Sequence, residues 1–323
     1  MILAAGVLLT VIVAAQPQRR VIVDTDAGAD DLLAILFLLD RPEVKIEAIT
    51  IVNGLAHTQA GAESVLRLLA YQGHKDIPVY IGASQPMSGR AEFPAEWRAA
   101  SDGLLRAQTP AADSRPRKED AMTFLSRRLR KGPPVDVLAL GPLTNFALTF
   151  RQEPRLGSVI REFVWMGGAL NVPGNVEAAP RAEWNAYVDP LAAETVLGAG
   201  WPLKIVGLDA SSQVAFRIEQ LEQLEALRLT KSAWLAVEIL RSEADSIQAG
   251  RYFAWDPLAA VALVAPKVVR TENVSLGVRK RAPERGRLIR VPALKPNAAV
   301  AVSANPDLFD ALFWRTFIGL SKL

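Results

Sequence analysis

The sequence has no cysteine and only two histidines, His57 and His74, among 323 residues. The first absence excludes a disulfide-stapled fold and every thiolate metal site. The second excludes cages built from several imidazoles, so any metal must be held mainly by oxygen. Charge of one sign is scarce too: 37 Lys and Arg stand against 34 Asp and Glu, a net charge of +3. That excess is too small to mark a nucleic-acid binder. Internal repeats and low-complexity linkers are missing. With 50% hydrophobic and 22% charged residues, the chain is not of the disordered class, and its length suits a sizeable core.

Long apolar runs are also missing, with one exception. Residues 2–15, ILAAGVLLTVIVAA, are shorter than the roughly 20 residues of a membrane span. Val13-Ala14-Ala15 offers small residues for cleavage, so residues 1–15 read as a signal peptide and residues 16–323 as one domain. Export to the periplasm or the medium is expected, with no membrane contact beyond it. No Lys or Arg precedes the run. An uncleaved anchor, or a cytoplasmic protein with a wrongly assigned start, is the alternative.

What is present is an alternation. Apolar strands are predicted at 20–24, 44–53, 77–83, 135–141, 163–167 and 203–209. Amphipathic helices are predicted at 31–40, 60–71, 121–130 and 143–150. Strands that are apolar throughout belong to parallel sheets covered on both faces. The fold class is therefore α/β, an open, mostly parallel sheet with helices on both faces and a Rossmann-like core. The basic run at 279–290 lacks interleaved aromatics and reads as a solvated loop or edge strand.

Chemistry is concentrated after the first strand. Asp24, Asp26, Asp30 and Asp31 place four carboxylates within eight residues, at the sheet edge where open α/β folds bind ligands. Helix capping explains one or two of them. Four repel one another unless a cation joins them or some are protonated. An all-oxygen site suits Ca²⁺ or Mg²⁺. Asp30 and Asp31 are consecutive on a helix and point about 100° apart. One can face a metal while the other meets a ligand. Gly28 permits the tight turn.

The segment VDTDAGADDLLAIL strongly resembles the DTDPGxDDxxAI motif of the nucleoside hydrolases, the family that includes the inosine–uridine-preferring enzymes. Similar segments follow in order: AITIVNGLAH from Ala48, LALGPLTN from Leu138, VWMGGAL from Val164, PGN from Pro173, AEWN from Ala182, VDP from Val188, VGLD from Val206 and AWDP from Ala254. The resemblance implies hydrolysis of the N-glycosidic bond of ribonucleosides to ribose and free base. It implies a small-molecule ribonucleoside as partner, Ca²⁺ as cofactor, and a homo-oligomer, dimer or tetramer. By motif position it makes Asp26 the general base on the attacking water. Asp24, Asp31, Asp256 and the main-chain oxygen of Leu140 become metal groups. Asp30, Asn175, Glu183 and Asn185 become ribose contacts, with Met166 beneath the sugar.

Two departures stand out. The inosine–uridine enzymes often carry a His as leaving-group acid where this chain has Trp255. That indole either stacks on the base or packs as core. The usual Gly-Asn after the second strand reads Asn53-Gly54-Leu55, so Asn53 takes the substrate contact through a shifted loop or the contact is lost. His57 nearby is a candidate polar group or an exposed one. Residues 91–103 resemble a mobile substrate loop of one branch, bringing Trp97 and Asp102 to the base, and equally suit a surface helix. Stacking on Trp255 favours bases that accept a proton at N7, hence a modest purine preference. The competing reading is a non-catalytic nucleoside- or sugar-binding protein that retains the metal site. Asp26 separates the two, because a binding module needs no free carboxylate beside the metal.

Overall fold

The computed structural model describes residues 18–89, 91–227, 229–292 and 295–318. The expected signal peptide, residues 1–15, lies outside the described residues. Ten strands are β1 (Arg19–Thr25), β2 (Val44–Ile51), β3 (Val79–Ile81), β4 (Val135–Ala139), β5 (Ile160–Trp165), β6 (Leu203–Ile205), β7 (Val269–Val274), β8 (Leu276–Val278), β9 (Leu288–Arg290) and β10 (Ala298–Ala304). Eight form one sheet in the order β3-β2-β1-β4-β5-β6-β10-β7. Every pairing in it is parallel except that of β7 with β10. The open, mostly parallel α/β sheet expected from the sequence is present.

The strands read as continuous apolar runs because both faces are buried. On β1, Val21 and Val23 enter one core cluster and Ile22 the other. The same alternation sends Leu138 of β4 to the first cluster and Val137 and Ala139 to the second. Helices Ala29–Leu39, Lys231–Ser242, Trp255–Val264 and Pro306–Phe317 cover the first face. Helices Ala121–Arg130, Thr144–Gln152 and Pro190–Leu197 cover the second. Burying one side chain such as Ile22 stabilises the fold by about 1.5–3 kcal/mol.

Two regions differ from expectation or sharpen it. The strand predicted to run to residue 209 stops at Ile205, and Leu208–Ser211 form a helical turn. A side chain at Gly207 would stand 2.3 Å from the Gly168 carbonyl, so the close approach of the two backbones here needs glycine. Asp209 then accepts the N–H groups of Leu170 and Asn171, each at 2.8 Å. The basic run lies on the β8–β9 hairpin and its turn, where structural partners take up its charge. Lys280 pairs with Glu194 at 2.6 Å, Arg290 with Glu272 at 3.0 Å, and Arg285 donates to the Tyr187 carbonyl at 2.8 Å. Among the described residues, no helix is long and apolar enough to cross a membrane.

The strand order has one consequence for function. Successive strands β1, β2 and β3 step one way and β4, β5 and β6 the other, so the order reverses between β1 and β4. A crevice opens beyond the carboxyl ends of strands at such a reversal.

Candidate active site

The turn after β1 is tied to the helix that follows. Thr25 Oγ1 donates to Asp31 Oδ1, the Ala27 N–H donates to Thr25 Oγ1 at 2.9 Å, and the Gly28 N–H donates to Asp31 Oδ2 at 3.0 Å. Asp31 thereby holds the first turn of helix Ala29–Leu39, where a negative charge is favoured by the helix dipole. Asp26 is held from the loop after β2. Its Oδ2 accepts the Leu55 N–H at 2.8 Å. Gly54 passes so close that a Cβ there would stand 1.9 Å from Asp26 Oδ2, so only glycine fits.

Asp24 is fixed from the end of β2 and from the first turn of helix Thr144–Gln152. Its Oδ1 accepts Thr50 Oγ1 at 2.5 Å and Asn145 Nδ2 at 2.7 Å. Its Oδ2 is buried without a partner. Asn145 also accepts the Ala83 N–H at 2.8 Å and donates to the Ile51 carbonyl at 3.2 Å. Just past β4, the Leu140 N–H donates to the Asp24 carbonyl at 2.8 Å, and the Leu140 carbonyl accepts Asn185 Nδ2 at 2.7 Å. Glu183 caps helix Trp184–Val188, accepting the Asn185 and Gly168 N–H groups, each at 2.8 Å.

Asp256, in the first turn of helix Trp255–Val264, completes the cluster. Asp30, Asp31 and Asp256 each offer an oxygen, and the three lie within 4.8 Å of one another. Asp256 Oδ1 is buried without a partner. Among the described residues no Lys, Arg or His pairs with Asp24, Asp26, Asp30, Asp31 or Asp256. Burial, reinforced by the charge of Asp31, pushes the Asp24 carboxyl up to about 7. The same two causes raise Asp26 and Asp256 well above the usual carboxylate range. Unpaired buried oxygens that repel one another are the donor set of a hard divalent cation, so the residues present fit such an ion.

The cluster floors a cavity of about 740 Å³, within the usual range for small-molecule sites. Of the residues singled out in the sequence, Asp26, Asp30, Asp31, Leu140, Met166, Asn175, Glu183, Asn185, Trp255 and Asp256 line it. Asp24 and Asn53 do not. Asp24 stands outside the three-carboxylate group because Thr50 and Asn145 hold it. Asn53 accepts Arg98 Nη2 at 2.7 Å and so anchors a wall of the cavity. That wall is helix Ala95–Gly103, which settles residues 91–103 as helix over most of their length. Trp97 lines the cavity and stays 46% exposed. Asp102 instead accepts the His57 N–H at 2.8 Å and meets His57 Nδ1 at 2.7 Å. The sequence reading missed Phe93, Trp184, Glu243 and Tyr252 on the cavity, and Thr50 and Asn145 behind it. Thr50, Asn145 and Trp184 fall within the quoted motifs and Phe93 within residues 91–103, whereas Glu243 and Tyr252 lie in none of them.

Residues 21–311 match the family described as inosine-uridine preferring nucleoside hydrolase. The chain belongs to this family. It is a nucleoside N-ribosyl hydrolase, an enzyme that acts on ribonucleosides, and its acidic cluster can bind a metal ion. A rice protein (Oryza sativa subsp. japonica) named "Probable uridine nucleosidase 1" is 34% identical over 265 residues, 79% of this chain and 81% of its own length. A pyrimidine-specific ribonucleoside hydrolase of Citrobacter koseri is 37% identical over 207 residues, 64% of this chain and 65% of that one. A solved plant nucleoside hydrolase superposes with a TM-score of 0.85 at 27% identity, covering 94% of this chain and 99% of that one. A purine-preferring ribonucleoside hydrolase from Gardnerella vaginalis gives 0.83 at 27% identity, with the same coverage of 94% and 99%.

Proposed function

We propose that this hydrolase is Ca²⁺-dependent, uses Asp26 as its general base, and modestly prefers purine ribonucleosides. One observation carries the reading: Asp26 lines the same cavity floor as Asp30, Asp31 and Asp256, and feels the charges of Asp31 and Asp30. Asp31, Asp256 and the Leu140 carbonyl would hold the ion, and Asp24 keeps one unpartnered oxygen for it. When bound, the ion lowers the pKa of its water and fixes the ribose hydroxyls.

The chain's own groups do the rest. Asp26, oriented by the Leu55 N–H, takes the proton of the attacking water. Burial, reinforced by the charge of Asp31, raises its pKa above the usual carboxylate range and so makes it a stronger base. Asp30, the half-buried member of the cluster, meets a ribose hydroxyl, as do Asn175, Glu183 and Asn185, above Met166. Asn53 acts through Arg98 on the wall helix. Positive charge grows on the sugar as the bond breaks, and the surrounding carboxylates stabilise it. The purine preference rests on Trp255, which lines the cavity across from no histidine acid, and on the further aromatic surface of Phe93, Trp97 and Trp184.

The test is ribose release from inosine, adenosine, uridine and cytidine, with Ca²⁺ and after chelation. Purines cleaved faster, with loss of turnover on chelation and recovery with Ca²⁺, is the expected result. Uridine cleaved as fast as inosine ends the purine preference. We further propose that residues 1–15 are removed on export, that residues 16–323 act as one domain, and that the enzyme is a dimer or tetramer. Amino-terminal sequencing of the protein recovered outside the cytoplasm, and light scattering, check these.

A further inference from the structure

With tryptophan at position 255, the sequence offers no evident proton donor for the departing base, but one residue of the cavity wall carries a buried hydroxyl without a partner. Tyr252 lines the cavity and is only 5% exposed. Its hydroxyl is buried and has no hydrogen-bond partner among the described residues. Buried hydroxyls are normally paired, and an unpaired one is costly to keep. The ring is also fixed in place. It stacks on Phe216 at 5.7 Å and 26°, and meets Trp255 edge-on at 5.3 Å and 78°. The Tyr252 carbonyl accepts the Phe216 N–H at 3.0 Å. The phenol therefore belongs to the same wall as Trp255. It also feels the charges of Asp30, Glu243 and Asp256, which line the same cavity. Burial above all holds its pKa above the ordinary tyrosine range, so it remains a donor throughout the working pH.

We propose that Tyr252 is a catalytic residue whose O–H donates a hydrogen bond to the leaving base, at the ring atom that gains charge as the glycosidic bond breaks. This deepens the reading given under Proposed function and rests on it. The C1′–N bond breaks with its electron pair moving onto the base. Water oxygen bonds to C1′, and a water proton goes to Asp26. The base takes up one proton from solvent, Asp26 returns one to solvent, and Tyr252 keeps its own. The hydroxyl stabilises the negative charge on the base between those events, which stacking on Trp255 alone does not do.

The test compares the parent with Tyr252→Phe on inosine, on uridine and on 4-nitrophenyl ribofuranoside, whose leaving group departs without a donor. Phe keeps the ring packing and removes a hydroxyl that bonds to nothing, so the melting temperature should hold or rise. Turnover of both nucleosides should fall about 10–100-fold, the range for a hydrogen bond to a charged group. Turnover of the nitrophenyl riboside should change less than about twofold, because its chemistry asks nothing of a donor. Equal losses on all three would mean that the hydroxyl meets the ribose, and unchanged nucleoside turnover would mean that it meets nothing. Either result overturns the proposal while leaving the hydrolase reading intact. A parent that releases no ribose from any nucleoside overturns both.

Discussion

Asp26 is held by an absence as much as by a bond. The Leu55 N–H fixes one oxygen, and the missing side chain of Gly54 leaves room for it. Asp26→Asn should preserve ribose binding and lower kcat by about 10²–10⁴-fold, the usual share of a general base. Gly54→Ala should lower kcat comparably although it removes no reacting atom, because its Cβ would displace that carboxylate. Wild-type kcat in either variant, measured by ribose release, sinks the assignment. Asn145 is a different case. Asn145→Ala would strip Asp24 Oδ1 of one donor and leave the Ala83 N–H unpaired. Leaving one buried polar group unsatisfied costs about 1–3 kcal/mol, and urea unfolding reads the loss. Four of the acids were legible in the sequence because they fall within eight residues. The roles of Thr50 and Asn145 were not, because Asp24 lies 26 and 121 residues from them and only the fold brings them together.

At the scale of elements, the strands and the first helices could be read from the sequence because burial on both faces leaves a continuous apolar signature. The wall helix Ala95–Gly103 stood only as one of two readings, a substrate loop or a surface helix, since it buries only Arg98 and Ser101. Two ties attach it to the loop after β2. The His57–Asp102 pair is exposed on the His57 side, and such pairs contribute about 0–1 kcal/mol. The Arg98 guanidinium is buried, bonded to Asn53 and paired with Glu92 at 3.2 Å. Arg98→Ala should therefore loosen the wall much more than Asp102→Ala. The expected result is a KM raised up to about tenfold in the first variant and little changed in the second. A KM equal in both variants would show that the wall is held elsewhere. Asn53, for which the sequence left open a substrate contact or its loss, does not line the cavity and holds Arg98 of the wall helix instead.

For the whole molecule, the buried carboxylates make stability depend on pH and on the ion together. The Asp24 carboxyl lies at about 7 in the fold against 3.8 ordinarily. The folded, metal-free protein thus binds this proton more tightly than the unfolded chain. The stability so gained is complete below about 3.8 and is lost as pH rises through 7. Asp26 and Asp256 act in the same direction. Carboxylates lowered by arginine, such as Glu47 and Glu119, act oppositely, but only below their usual range. Without metal, the melting temperature should fall between about pH 5 and 7.5. Added Ca²⁺ should raise it more at the upper end, because the ligands must be deprotonated to bind. Scanning fluorimetry at both pH values checks this, and a calcium effect larger at the acid end contradicts it.

The wall has one more consequence. The chain between β3, an edge strand of the sheet, and helix Ala121–Arg130 supplies Phe93, Trp97 and Leu104 to the cavity and nothing to the carboxylate cluster. It leaves the sheet at its rim, and Met87 and Ser88 reach Asp189 at the start of helix Pro190–Leu197 at 2.7 and 2.6 Å. On the proposed function, bond cleavage and part of base choice are thus written in separate stretches of one gene. Recombination between relatives can exchange the second stretch whole and leave the first untouched. A chimera carrying another hydrolase's segment here should keep its dependence on Asp26 while its ratio of purine to pyrimidine turnover moves toward the donor's.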